Sequence, residues 1–413
     1  MTDTGKQKIE KIVETLILVS IFSLPFSKSA AEIGFIMSLF LWLAQKIIFR
    51  EKRWLPFWLY AIYGGFLALT LFSILQAAPE ELRDSLRGFL KWLKYISVFF
   101  MTADIFRNGT ASRKLIYVFL VSCFLLSLNG FYQMVTGQDL LTHHSIDIPG
   151  RLVRMRSTLG SPNGLAAFYL FSIPLSFWVW LNEKYWSKIA FFSLIVCALS
   201  TVGLGLTLSR AAVFSLIMAA LLFFLFKKNY RILLASIAVS ALFLVSSPMV
   251  RDNFLNSLDV HDETIGERLS FWKTSWRMIQ AQPFFGHGVN TYFQNFPKFA
   301  ASDESYRGYA HNCYLQMWCE VGVFGLVLFL IPFVLIFSKY LFAKESKPKN
   351  FSREDALFIG TAAFLMQAFF DTHFYALQLA YLFWIFWAIF ASQVLDKKNP
   401  PFPNERAGNL NHG

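Results

Sequence analysis

The chain has 413 residues and a formal net charge of +12, and 55% of its residues are hydrophobic while only 15% are charged. Soluble domains carry about a quarter charged residues, so this composition excludes an ordinary soluble protein. The four cysteines show no Cys-x-x-Cys spacing, which argues against a disulfide framework or a metal site. We therefore expect an all-α polytopic membrane protein.

Apolar runs follow one another along the chain, and we count 12 that suit a membrane-spanning helix of about 20 residues. The boundary between the seventh and eighth runs is the weakest, because only Ser209-Arg210 interrupts the apolar pattern. The runs lie at residues 12–27, 30–49, 54–77, 88–106, 113–136, 161–181, 188–208, 210–226, 231–250, 312–343, 354–372 and 374–395.

These runs divide the chain into four parts. Residues 1–150 hold predicted helices 1–5 with short loops, and residues 151–343 hold helices 6–10. Residues 344–395 hold helices 11 and 12, and the Pro/Asn-rich segment 396–413 is predicted to be a disordered cytoplasmic tail. A long polar loop at 251–311 separates helices 9 and 10, and ionisable groups at a bilayer usually mark function. We therefore expect this loop to cover a functional site.

The basic residues predict the orientation of the chain. With the N-terminus in the cytoplasm, 23 of the 38 Lys and Arg residues fall on the inner side and 15 on the outer side. This bias agrees with the positive-inside rule. Ten of the 15 outer residues are arginines, which make bidentate contacts with phosphate or carboxylate. An anionic ligand on the outer face is the expectation.

Arginines stand at two outward-facing positions. Arg154 and Arg156 precede Ser161 and Pro162, which fit the N-cap and the first residue of a helix, so this corner predicts an anion site. The alternative partners for these arginines are membrane headgroups. Arg210 has no acidic residue within ten positions in either direction and also predicts an anionic ligand, although a lone arginine can simply extend to the interface.

The loop at 251–311 contains a segment with helical periodicity. Arg268 and Lys273 fall on it, and Pro283 ends it before a tight turn at Gly286-His287-Gly288. Its apolar residues predict an amphipathic helix that rests on the membrane surface. They recur at i, i+3, i+7 and i+10, as Leu269, Trp272, Trp276 and Ile279.

His311 and Asn312 close the loop where the next apolar run begins. The ordinary pKa of histidine suits proton transfer near neutrality, so His311 is a candidate general base, although a lone interfacial histidine is more often structural. The other histidines show no metal-ligand spacing, and the sequence contains no P-loop and no Asp-x-Asp motif. We predict no cofactor, no metal, no nucleotide substrate and no nucleic-acid partner.

Taken in order, these segments resemble the O-antigen ligase and O-antigen polymerase superfamily of bacterial inner-membrane proteins. The resemblance runs from about Arg154 to Leu341, and the order of the pieces is more specific than any piece alone. The matching pieces are Arg156 through Ser161-Pro-Asn163-Gly-Leu-Ala166, Ser209-Arg210-Ala, Arg268 with Trp272, Pro283-Phe-Phe-Gly286-x-Gly288, His311-Asn312-x-x-Leu315 and Glu320-Val-Gly322-Val-Phe-Gly325.

The resemblance implies a glycosyltransferase of the inner membrane whose site faces the periplasm. Its members move a glycan from undecaprenyl diphosphate to an acceptor, which is lipid A–core oligosaccharide for ligases and another glycan chain for polymerases. By position, His311 matches the essential loop histidine of the family, and Arg210 and Arg268 match arginines that hold the diphosphate. The further candidate residues for substrate binding are Arg154, Arg156, Asn163, His287 and Asn312.

The resemblance also implies a mechanism. His311 takes the proton of the acceptor hydroxyl, and arginines stabilise the leaving diphosphate, so the transfer is expected to invert the anomeric centre without a metal. His287 departs from the family, in which this turn position is usually apolar. The short loop at 137–160 favours a ligase over a polymerase, which tends to have two sizeable Arg-rich loops. A lipid-linked sugar flippase is a remote alternative, because the ionisable residues gather at the outer face rather than within the spans.

Overall fold

The computed structural model describes residues 3–49, 55–143, 145, 153–184, 187–227, 263–301, 308–342 and 351–396. The secondary-structure elements within these ranges are all α-helices or 3₁₀-helices. The α-helices are α1 (Asp3–Ser23), α2 (Lys28–Phe49), α3 (Phe57–Ser73), α4 (Leu82–Ile105), α5 (Gly109–Thr136), α6 (Pro162–Asn182), α7 (Lys188–Leu206), α8 (Arg210–Phe226), α9 (Glu263–Ala281), α10 (Tyr292–Phe299), α11 (Cys313–Leu341), α12 (Arg353–Gln367) and α13 (Leu377–Leu395).

The helices confirm the polytopic class. Among the described residues, seven segments are long and apolar enough to cross a bilayer, namely α2, α3 with the 3₁₀ turn that follows it, α5, α6, α7, α11 and α13. The apolar helix α8 has only 17 residues, while α1, α4 and α12 occupy the predicted first, fourth and eleventh runs. The predicted run at 231–250, the first part of the long loop and the segment after residue 396 lie outside the described ranges. The number of 12 spans therefore stays a prediction.

Helix α13 forms the centre of the bundle. An all-round apolar helix is stable only when other elements cover it, and α13 is buried along almost its whole length. Trp387 Nε1 donates a hydrogen bond to the Tyr63 hydroxyl at 2.8 Å, which satisfies the indole in an apolar interior. Trp384 packs edge-on against Tyr63 and Phe99. These aromatic contacts join α13 to α3 and α4.

Helix α11 is interrupted at Gly322, whose φ of 80° is left-handed. The interruption leaves the carbonyls of the preceding turn without their helical N–H partners. Those of Cys319 and Glu320 accept hydrogen bonds from the backbone N–H groups of His287 and Gly288, at 2.8 and 3.0 Å. The turn after α9 therefore docks onto the break in α11.

Glycines on both sides permit this close approach. A Cβ atom at Gly322 would overlap the carbonyl oxygen of Phe284, and one at Gly286 would overlap the backbone of Glu320. Both glycines have positive φ, which residues with a side chain rarely adopt. Gly286-x-Gly288 and Gly322, which both belong to the pieces that resemble the family, thus contact each other through their backbones.

We expect Gly322→Ala to lower the free energy of unfolding by about 1–2 kcal/mol from the left-handed backbone alone. The overlap with the Phe284 carbonyl adds to this loss. Thermal unfolding of the purified protein in detergent measures the effect. Gly64→Ala in α3 is the control, since a Cβ there meets nothing within 4 Å. Equal unfolding midpoints for the two variants would contradict the docking of the turn on α11.

Candidate active site

Four arginines from three segments share one electrostatic environment. Arg154 and Arg156 precede α6, Arg210 is the first residue of α8, and Arg268 lies on the second turn of α9. The pKa of Arg154 is lowered to about 10, first by burial and then by the positive charges of Arg156, Arg268 and Arg210. The Arg154 side chain still carries its charge at neutral pH, since a pKa of about 10 lies well above it. Such a concentration of positive charge favours an anionic ligand.

The side chain of Asn163 connects this arginine cluster to a carboxylate. Its Oδ1 accepts hydrogen bonds from Arg154 Nη2 at 3.2 Å and from Ser209 Oγ at 2.9 Å. Its Nδ2 donates to Asp371 Oδ2 at 2.8 Å. Arg154 Nε also donates to the Thr207 carbonyl at 2.8 Å, so the guanidinium is held at two points.

Local sequence signals place Asn163 in this position. Ser161 is the N-cap of α6, and its side chain accepts a hydrogen bond from the Gly164 N–H at 3.3 Å. Pro162 occupies the first turn, as the sequence predicts. Asn163 therefore lies in the first turn of α6, where its backbone carbonyl accepts a hydrogen bond from Gln367 Nε2 at 3.3 Å.

Next to the arginine cluster, His311 forms a pair with Asp371. His311 Nδ1 lies 3.4 Å from Asp371 Oδ1, longer than an ordinary hydrogen bond, as catalytic contacts often are without substrate. Burial alone would raise the pKa of Asp371, but the contact with His311 and the positive charges of His373 and His311 hold it well below its usual range. Asp371 is thus an acidic group that faces the imidazole ring of His311.

The backbone around His311 is fixed from both sides. Asn312 is the N-cap of α11, and its Oδ1 accepts the N–H groups of residues 314 and 315 at 2.9 and 3.0 Å. On the other side, Trp272 Nε1 on α9 donates to the Ala310 carbonyl at 3.0 Å. Between them His311 has a φ of 45°, a left-handed conformation that is uncommon outside glycine and is held here by its neighbours.

An apolar cavity of about 630 Å³ lies between α8, α11 and α12. On α8 its lining extends from Phe214 to Phe226, about 18 Å at 1.5 Å per residue. Arg210 lies one turn before Phe214 on the same helix face, and Phe370 directly precedes Asp371. One end of the cavity therefore lies within about one helical turn of Arg210 and next to Asp371 along the chain. Its lining consists of Phe214, Met218, Ala219, Leu222, Phe226, Tyr314, Phe337, Leu341, Phe358, Ala362, Leu365, Met366, Phe369 and Phe370.

The structure brings together six of the eight residues that the sequence nominates. These are Arg154, Arg156, Asn163, Arg210, Arg268 and His311. Asn312 is fully buried, and its Oδ1 serves the helix cap.

His287 lies in a separate packing site. It is buried against Phe299, and one ring nitrogen contacts the Met278 carbonyl at 2.9 Å. Burial lowers the pKa of this imidazole. Among the contacts that the structure describes, none joins His287 to Asn163, Asp371 or His311. Phe299 and the Met278 carbonyl are thus packing partners for the histidine that departs from the family at this turn.

Asp371 is the functional candidate that sequence reasoning missed. It lies in the short connection between α12 and α13, far along the chain from both Asn163 and His311. The sequence does carry one signal for Asp371: it is an acidic residue two positions before His373, in a polar break between two apolar runs.

Helix α9 exists where the loop periodicity predicts it, but its buried face is different. Phe271, Ser275 and Met278 pack against α10 and α11, and Ser275 shares a hydrogen bond with the Tyr292 hydroxyl at 2.7 Å. Of the predicted apolar residues, Ile279 is buried in this contact, while Leu269 and Trp276 are exposed on the opposite side. Three residues of the predicted stripe, Leu269, Trp272 and Trp276, therefore share one side of α9, and only Ile279 at its end turns into the protein contact.

Fold and site together define a helical, multi-pass membrane protein with a cationic site where an apolar cavity ends. Residues 195–330 match the O-antigen ligase family, and this segment contains Arg210, Arg268 and His311. The match confirms the predicted resemblance to the O-antigen ligase superfamily. An uncharacterized protein of Haemophilus influenzae is 22% identical over 222 residues, which is 49% of this chain and 55% of that protein. The alignment thus spans about half of each protein.

Proposed function

We propose that this protein is an inner-membrane glycosyltransferase that moves O-antigen polysaccharide from undecaprenyl diphosphate to lipid A–core oligosaccharide at the periplasmic face. The observation that carries the proposal is the junction of the apolar cavity with the arginine cluster and the His311–Asp371 pair. A donor with a long apolar chain, a diphosphate and a reacting sugar needs these three environments in this order. The family match supports the same class of reaction.

The lipid chain and the diphosphate of the donor each have a place in this arrangement. The polyprenyl chain lies in the cavity along α8, where aromatic and aliphatic side chains replace lipid contacts. The diphosphate then lies beside Arg210, with Arg154 and Arg268 from two other segments. Guanidinium groups make bidentate, charge-assisted hydrogen bonds to phosphate oxygens, and so they hold the leaving group in a fixed orientation.

The chemical step follows from this placement. An acceptor hydroxyl attacks the anomeric carbon while His311 takes its proton, and Asp371 stabilises the imidazolium that forms. The new bond joins the acceptor oxygen to the anomeric carbon, and the bond from that carbon to the diphosphate oxygen breaks. Arginines stabilise the negative charge on the departing diphosphate, so the step needs no metal. A single displacement of this kind inverts the anomeric centre.

We expect His311→Ala to lower the rate of transfer by about 10²–10⁴-fold, the usual contribution of a general base. Asp371→Asn should lower the rate as well, because the amide cannot stabilise a protonated imidazole. The measurement is the rate at which membranes with equal amounts of each variant transfer the glycan from undecaprenyl diphosphate to lipid A–core. Asp84→Asn is the control carboxylate, since Asp84 pairs with Arg87 on α4. Near wild-type transfer by His311→Ala would place the base elsewhere.

Arg210→Ala should weaken donor binding and slow the chemical step together, because the diphosphate is present in both the ground state and the transition state. Arg210→Lys should restore little, since a point charge cannot replace a bidentate guanidinium. Initial rates at varied donor concentration separate KM from kcat. Arg87→Lys is the control, because Arg87 is exposed beside Asp84 on α4. Full activity of Arg210→Lys would show that charge alone suffices.

An O-antigen polymerase that uses the same lipid-linked donor is the alternative within the superfamily. Deletion of the gene separates the two activities through the lipopolysaccharide that remains. Loss of a ligase leaves lipid-linked polymer and bare core, which is the result we expect. Core that carries a single repeat unit would identify a polymerase instead.

A further inference from the structure

The exposed face of α9 forms a second depression beside the proposed donor site. Its volume is about 490 Å³, and the lining residues that the structure describes lie on one side of this helix. The opposite side of α9 packs against α10 and α11, so the depression is not part of the buried contact. The lining residues are Leu269, Trp272, Lys273, Trp276, Arg277 and Gln280.

The chemistry of this face suits a charged glycan. Two indole rings offer flat apolar surfaces on which the apolar faces of sugar rings stack. Lys273 and Arg277 offer cations for phosphate or carboxylate groups, and Gln280 offers an amide for hydroxyl groups. The described residues of this lining carry no carboxylate.

The depression adjoins the catalytic groups without sharing the lipid cavity. Arg268 directly precedes Leu269, so one end of the depression lies at the arginine cluster. Trp272 forms the wall between the two sites: its ring packs edge-on against Phe369 of the cavity, with centroids 5.6 Å apart. The same indole holds the Ala310 carbonyl next to His311. Trp272 therefore stands between the α9 depression and the apolar cavity, next to the backbone of His311.

The groups on this face are oriented before any ligand binds. Arg277 Nη1 donates to the Phe299 carbonyl at 3.1 Å, and Trp276 packs at right angles to Trp318 with centroids 6.0 Å apart. Trp318 in turn donates from Nε1 to the Pro283 carbonyl at 2.9 Å. Fixed orientation matters for recognition of a particular glycan, whereas contacts with bilayer headgroups require only charge near the surface.

We propose that this face of α9 binds the acceptor, and that the acceptor is a glycan with phosphate or carboxylate groups recognised by Lys273 and Arg277. The inference rests on the proposed function and extends it by naming the residues that choose the second substrate. Trp276 stacks on a sugar ring of the acceptor, and Trp272 separates the acceptor from the lipid chain of the donor.

The test measures equilibrium binding of radiolabelled lipid A–core oligosaccharide to the full-length protein in phosphatidylcholine nanodiscs. The K273Q/R277Q double variant should bind the phosphorylated glycolipid about 10- to 100-fold more weakly than the wild type, since two charge-assisted contacts are lost. The dephosphorylated glycolipid should bind equally weakly to both proteins. Trp276→Ala should weaken binding of both glycolipids. Arg83→Gln is the matched control, an exposed arginine of α4 outside the depression.

Equal binding of the phosphorylated glycolipid by K273Q/R277Q and the wild type would overturn the proposal. A difference that arises only in nanodiscs with phosphatidylglycerol, and that Arg83→Gln reproduces, would make this face a membrane contact and also overturn it. Binding of undecaprenyl diphosphate in the same nanodiscs tests the proposed function separately and shows that each variant is folded. Failure of the wild type to bind undecaprenyl diphosphate would count against the proposed function rather than against the face of α9.

Discussion

The hydrogen bonds of Asn163 are the interaction on which the rest of the site depends. One amide joins the Arg154 guanidinium to the Asp371 carboxylate, so it couples the start of α6 to the connection between α12 and α13. Arginines held close together repel one another, and Asp371 is the acidic group that offsets the charge around Arg154. An anionic ligand offsets it further. Folding thus concentrates positive charge at this end of the bundle.

The same carboxylate also determines what the histidine can do. Because Asp371 bonds to Asn163 through one oxygen and faces His311 with the other, its ionised state serves the arginine cluster and the imidazole together. Donor binding and proton transfer therefore share one charge network. The break in α11 at Gly322 holds the turn after α9 in place, and Trp272 of α9 fixes the backbone beside His311.

Local signals in the sequence predicted the helix ends well. Ser161 with Pro162, and the interruption at Ser209-Arg210, act within one helical turn, and the structure places helix starts at both. Packing between segments distant in the chain determines the position of Asp371 and the buried face of α9. Asp371 reaches its partners only when α6, α11 and α12 assemble, and no periodicity in its neighbourhood reports this. The sequence did not predict which face of α9 packs against protein, because Phe271 and Met278 find their partners on α10 and α11, which lie elsewhere in the chain. The membrane contact of the stripe with Leu269 and Trp276 stays a prediction.

The central claim is that the lipid cavity and the arginine cluster form one donor site. Photo-crosslinking with undecaprenyl diphosphate that carries a diazirine in its polyprenyl chain tests this most directly, with the labelled peptides identified by mass spectrometry. The account predicts labels on α8 and α12 along the cavity, between Phe214 and Phe226 and around Met366, that unlabelled undecaprenyl diphosphate competes away. Labels confined to the outer surfaces of α2 or α7, without competition, would contradict it.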